Sequence, residues 1–239
     1  MTLGTPHAKV TYGIFGKLPA KRDFVAVGLP QAVLSPWEAW LQRGIAQSRQ
    51  TLDRDWVRAF LSAPIWRFWC GAKVLGREAI GVMMPSVDGA GRYFPLTVLA
   101  LASEGRGFMP PGDSGSEAAL ATLETLCLSV LEPGASYDAF LAALHALPMP
   151  PTRDVPPAEP AAFISPGGAE GGSPDAFMTG QMQRLLASET RRAEASASRW
   201  WTSGGQDYPP RLIGMASLLG DETFAAMLSG RFDPAGDAP

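Results

Sequence analysis

The hydrophobic pattern along this chain changes period several times, and each change marks an element. Residues 9–15 are rich in aromatic and β-branched side chains and predict a first strand, which Gly16 and Pro19 break into a loop ending near Asp23. A short apolar run, 24–27, follows. Ser35-Pro36-Trp37-Glu38 sets a hydroxyl, a proline and a glutamate at the spacing of a capped helix start. A helix is therefore predicted from Ser35, with Trp37, Trp40, Leu41 and Ile45 on one face. Residues 53–61 predict a second, shorter helix with Trp56, Phe60 and Leu61 inward, ended by Ala63-Pro64 because the residue before proline disfavours helix.

Beyond Pro64 the pattern reads as strands. Residues 65–70, 78–84 and 94–101 have strand length and composition, and the segments 71–76 and 85–92 read as the loops between them, which predicts an antiparallel meander. In the first of these strands Ile65, Arg67 and Trp69 share one face and Trp66, Phe68 and Cys70 the other. Both faces are mostly apolar, so helices should cover both sides of the sheet. Residues 112–116 open a further helix, with Ser114 and Glu117 at capping-box spacing and Leu120, Leu123, Cys127, Val130 and Leu131 in one stripe. A companion helix follows over 136–147. The segment 148–174 is so rich in proline and glycine that it predicts a flexible excursion and no packed element. After it come a polar helix over 180–198, strands at 198–202 and 211–218, and a closing helix at 221–228. The pattern as a whole predicts one domain over 1–239 of α/β (α+β) class: a central, mostly antiparallel sheet sandwiched between helices.

Composition narrows the function classes. A hydrophobic content of 46% over 239 residues suffices for a substantial core. The net charge of −3 gives too little positive field to grip a phosphate backbone, so nucleic acid is not an expected partner. No signal-peptide pattern and no run of 18 apolar residues occurs, so a cytoplasmic protein without membrane insertion is expected. Two cysteines, Cys70 and Cys127, lie far apart inside apolar runs and read as core thiols.

Known catalytic and cofactor motifs fit poorly. Gly16-Lys17 lacks both the glycine spacing and the following hydroxyl of a phosphate loop, and Gly89-Ala90-Gly91 lacks the third glycine of a dinucleotide fingerprint. Two isolated histidines, His7 and His145, with the two cysteines match no metal-ligand spacing, so no cofactor and no metal is expected. What remains is polar chemistry in loops beside aromatics: Lys17, Lys21, Arg22 and Asp23 in one loop, and Ser86, Asp88 and Arg92 in another. Charged loops on a rigid scaffold are where recognition tends to reside. The competing reading is structural: Asp23 and Asp88 accept local backbone hydrogen bonds and Arg92 pairs with one of them. A hydrolase using Ser86, Asp88 and Arg92 is the enzymatic alternative, and it needs a base within hydrogen-bond reach of Ser86. The tryptophans follow helix or strand periodicity and read as core.

Read as words, the same loops carry a resemblance. Gly13-Ile14-Phe15-Gly16-Lys17-Leu18-Pro19, Asp23-Phe24-Val25, Leu29-Pro30, Trp37-Glu38-Ala39-Trp40-Leu41-Gln42, Ala63-Pro64-Ile65-Trp66-Arg67-Phe68 and the run from Gly81 to Thr97 resemble, in order and spacing, the signatures of TagF proteins of the bacterial type VI secretion system. The likeness is densest over 12–97; Ser198-Arg199-Trp200-Trp201-Thr202 with Gly204, Phe224 and Gly230 resembles the family's carboxyl-terminal signature. It implies a longin-like fold and a non-enzymatic, cytoplasmic, post-translational repressor of secretion-system assembly. The implied partner is a forkhead-associated scaffold protein, with Lys17, Asp23, Ser86, Asp88 and Arg92 as candidate protein-binding residues. A structural accessory subunit of the apparatus is a further alternative, and a homodimer is left open. The family usually has glycine immediately before the aspartate of the first loop, where this chain has Arg22. Either a different loop backbone or a strained residue is expected there.

Overall fold

The computed structural model describes residues 10–156, 173–205 and 208–232. Seven strands form one antiparallel sheet: β1 (Thr11–Gly16), β2 (Val25–Val27), β3 (Trp66–Cys70), β4 (Ala79–Met84), β5 (Leu96–Leu101), β8 (Ser198–Thr202) and β9 (Arg211–Met215). Their order is β2-β1-β5-β4-β3-β8-β9. The meander β3-β4-β5 forms as its period predicts, with Val82 opposite both Arg67 and Val98. A separate two-stranded ribbon joins β6 (Arg106–Phe108) to β7 (Thr152–Asp154).

Alternation along β3 sends its side chains into two different cores. Trp66, Phe68 and Cys70 enter one, built with α1 (Gln31–Leu52), α2 (Trp56–Ser62) and α7 (Asp221–Ser229). Trp69 enters the other, built with α4 (Ser114–Ser129) and α5 (Tyr137–Ala146). The sheet is therefore covered on both sides, as its two apolar faces require. On the first face the Trp37 ring stacks on Trp200 at 5.8 Å, and Trp40 meets Phe224 edge-on at 5.7 Å. Each buried indole N–H has an acceptor: Trp37 Nε1 donates to Thr97 Oγ1, Trp40 Nε1 to the Leu219 carbonyl and Trp56 Nε1 to Ser48 Oγ. The tryptophans are core, as their periodicity predicts.

On the second face Arg67 projects from β3 toward α4. Its Nε and Nη2 donate to the two carboxylate oxygens of Glu124 at 2.8 and 2.7 Å, and Nη1 donates to Glu117 Oε2 at 2.6 Å. At the start of β4, buried Glu78 accepts from Trp69 Nε1 and from the Phe108 backbone N–H. Burial raises its pKa, outweighing those hydrogen bonds and the nearby Arg153 charge.

Several local expectations are corrected. α1 starts at Gln31 after an extended Pro30, four residues before Ser35, and carries Pro36 inside it. The extra turn is held because Val33 is buried in the first core, and Ser35 Oγ accepts from Gln31 Nε2 and caps nothing. Leu61, predicted inward, is 56% exposed. The loop predicted after β3 contains a one-turn helix, α3 (Ala72–Leu75), closed by Gly76 at φ +78°. The cap of α4 is Asp113, whose Oδ1 accepts from Gly115 and Ser116 N–H; Glu117 reaches back to the Gly112 N–H, so the predicted box is shifted by one residue. Leu131 lies beyond the end of α4 and is exposed.

The excursion 148–174 is packed at its start: Arg153 Nε donates to the Phe108 carbonyl and Arg106 pairs with Asp154, which builds β7. Its stretch 157–172 lies outside the described residues. α6 (Pro174–Ser196) begins six residues earlier than predicted, with proline in its first turn, where the missing N–H costs nothing. β9 ends at Met215, short of the predicted 218.

Candidate functional site

Strands β1 and β5 are neighbours, so the loop leaving β1 (17–24) and the loop entering β5 (85–95) meet at one end of the sheet. Gly16 makes the approach close: at φ +135°, a Cβ on it would lie 2.0 Å from the Pro95 carbonyl oxygen. Only glycine fits there. The second loop is a small hairpin of its own, with Val87 bridged to Tyr93 and Phe94 N–H donating to the Ser86 carbonyl. The Gly89 N–H then reaches across to the Lys21 carbonyl at 2.7 Å.

Asp88 is the hub that joins the two loops. Its Oδ1 accepts the backbone N–H groups of Ala90 and Arg92, both at 2.9 Å. Its Oδ2 accepts Lys17 Nζ and Arg92 Nε, both at 2.7 Å. Burial pushes the Asp88 pKa up, but the Lys17 ammonium, the two backbone N–H groups and the Arg92 guanidinium outweigh it. The carboxyl is held well below the usual carboxylate range. Lys17, itself 5% exposed, lies with its ammonium 4.8 Å from the centre of the Phe24 ring as well.

The five candidates therefore divide. Lys17, Ser86 and Asp88 are buried, which takes them off any docking surface. Lys17 and Asp88 hold the loops in shape. Arg92 and Asp23 face out, their side chains 56% and 97% exposed and 3.9 Å apart. Ser86 Oγ has no hydrogen-bond partner among the described residues. The structural reading thus holds for Asp88, which accepts local backbone N–H groups and pairs with Arg92.

The Arg22 question resolves as a different backbone. Asp53 is the one non-glycine residue with positive φ among the described residues, so Arg22 is not in the left-handed region. Its carbonyl instead accepts from Arg92 Nη2. Sequence reasoning missed Phe24, whose ring is stacked on Phe15 and edge-on to Phe94 yet remains 49% exposed. Alternation gave the available signal, since Val25 beside it is buried.

Elsewhere the described residues offer little reactive chemistry. Both cysteines are buried, and burial pushes their thiol pKa values up, away from the reactive thiolate. His145 stands exposed on α5. No group of three or more His, Cys, Asp and Glu side chains among the described residues could hold a metal ion. No helix among them is long and apolar enough to cross a membrane.

Residues 13–147 match the TagF N-terminal domain, type VI secretion system-associated. The crystal structure of PA0076 from Pseudomonas aeruginosa PAO1, at 2.05 Å resolution, is similar to this chain at a TM-score of 0.70 and 33% identity. The likeness covers 93% of this chain and 96% of that one. No curated protein matches the sequence. The matched domain spans both loops and more than half of the chain, and the chain belongs to the TagF family of type VI secretion system-associated proteins.

Proposed function

We propose that this chain is a non-enzymatic, cytoplasmic, post-translational repressor of type VI secretion system assembly, acting by binding a forkhead-associated scaffold protein. The observation that carries the reading is how Asp88 is used. All its acceptor directions are spent on Lys17, Arg92 and the loop backbone, which makes the loop pair a rigid, pre-shaped surface. Preorganised loops of this kind lose little conformational entropy on docking.

Ser86, the nucleophile of the competing hydrolase reading, is 3% exposed and hydrogen-bonds to nothing among the described residues. Repression then follows by mass action. A partner is held unassembled only in so far as the repressor binds that state better than the assembled one, and moving such an equilibrium from 1:99 to 99:1 takes about 5.5 kcal/mol of differential affinity. Deleting the gene and measuring secretion under non-inducing conditions tests the reading. Secretion should switch on; continued silence refutes it, and loss of secretion under inducing conditions would favour a structural subunit.

A further inference from the structure

The surface that the loop pair presents is opposite in sign to the chain that carries it. Lys17 and Asp88 neutralise each other in the interior. What reaches solvent is Lys21, Arg22 and Arg92 against a single acid, Asp23, in a protein of net charge −3. Two of the three cations are set in place. Arg92 is held at Nε by Asp88 and at Nη2 by the Arg22 carbonyl, and its Nη1 has no partner among the described residues. Lys21 Nζ rests 4.2 Å from the centre of the Tyr137 ring. Beside them Phe24 is 49% exposed as a residue, and Phe15 and Phe94 fix the orientation of its ring.

We infer that this patch is the docking site for an acidic segment of a partner protein, one that places an apolar side chain against Phe24 between carboxylates paired with Lys21, Arg22 and Arg92. The inference rests on the proposal that the chain acts by gripping another protein, and it names the chemistry of what is gripped. Charge complementarity supports it: an acidic segment is repelled by the chain's overall negative charge and attracted to this patch, which helps orient the encounter. Arginine and phenylalanine are both enriched at protein interfaces. A nucleic acid suits it poorly, because three clustered cations on an acidic protein make no extended track for a phosphate backbone.

The test places a photo-crosslinking benzoylphenylalanine at exposed Ala90, on the loop tip, in the full chain expressed in its own host. Leu212, on the far edge of the sheet, is the control position. Crosslinked peptides are mapped by mass spectrometry and compared with the K21E/R22E double variant, whose melting temperature should stay within about 2 °C of the parent because both side chains are exposed. The expected result is a crosslink at position 90 that falls in an Asp/Glu-rich segment and drops at least tenfold in the double variant.

If that segment lies in the forkhead-associated scaffold, both proposals stand. If it lies in another protein, the patch stands and the scaffold reading falls. A crosslink to the scaffold in a segment without acidic residues, or one unmoved by K21E/R22E, overturns the patch and leaves the scaffold reading intact. Signal recovered only in lipid or nucleic acid, or no more than at position 212, also overturns it.

Discussion

Replacing Arg67 with methionine should loosen the second helical layer from the sheet. Arg67 is 15% exposed and engages two carboxylates on α4, seven residues apart and 35% and 25% exposed. Removing the cation leaves Glu117 and Glu124, half-buried against the sheet, without the ion pairs they make with Arg67. Breaking a fully buried pair by deleting one partner costs about 3–5 kcal/mol, whereas an exposed pair is worth about 0–1 kcal/mol. Partial exposure of the acids places this case between, at about 2–3 kcal/mol. For a chain of this size about 2–4 °C accompanies each kcal/mol, so the melting temperature should fall by about 4–12 °C.

Urea unfolding of the parent, R67M, E124Q and the double variant then forms a cycle. The bidentate geometry predicts a coupling of at least about 1 kcal/mol between the two sites. The hydrogen bonds to Glu124 raise the Arg67 pKa, outweighing burial, with the Glu124 and Glu117 charges adding to the rise. Its charge is thus constant over the accessible pH range, and the loss should persist from pH 6 to pH 9. An R67M variant within about 0.5 kcal/mol of the parent, the range of an ordinary surface substitution, would refute the argument.

Three further outcomes follow from the same structure. Ser86→Ala removes an unpartnered buried hydroxyl, so urea unfolding should show stability unchanged or raised by up to about 1 kcal/mol; a loss beyond that would reveal a partner for Oγ. Asp88 has a depressed folded pKa, so its stabilisation is present above the unfolded value of about 3.9 and is lost as pH falls through the folded one. The melting-temperature gap between the parent and D88N should be full at pH 7 and narrow below pH 4; a gap that stays constant to pH 2 would contradict this. Glu78 has a raised folded pKa and the opposite sign: the folded state binds its proton more tightly, so stability falls as pH rises past the unfolded value of about 4.3. E78Q should gain on the parent between pH 4 and pH 7, and equal slopes for the two proteins would sink that assignment.

Local features were readable in the chain to the extent that they depend on neighbours in sequence. The alternation of Trp66 through Cys70 foretold two cores, and the spacing of Trp37, Trp40 and Leu41 foretold a buried helix face. The cap of α4 was nearly readable, but Asp113 outcompetes Ser114 because its carboxylate reaches two backbone N–H groups. β7 was hidden, because its pairing depends on β6 and on Arg106 and Arg153 and not on any propensity of Thr152-Arg153-Asp154. The candidate loops are legible as loops, yet their division into buried and exposed is not. Lys17 lies 71 residues from Asp88, and no local rule reports that one will be buried against the other. Phe24 reads as part of an apolar run, and its exposure becomes evident only once Val25 takes the inward place.

The order of strands has a consequence for synthesis. β3 leaves the ribosome early, but the strand that covers its free edge and the helix that seals Trp40 arrive only with residues 198–229. At 5–20 residues per second, roughly 8–30 s separate the two events. Throughout that interval Trp37, Trp40 and Phe68 lack Trp200 and Phe224, the rings they pack against. A nascent chain holding its amino-terminal signature complete is thus a half-core with its apolar rings uncovered, the kind of surface that aggregates until the missing elements arrive. Excising residues 13–147 as a fragment would make that transient condition permanent.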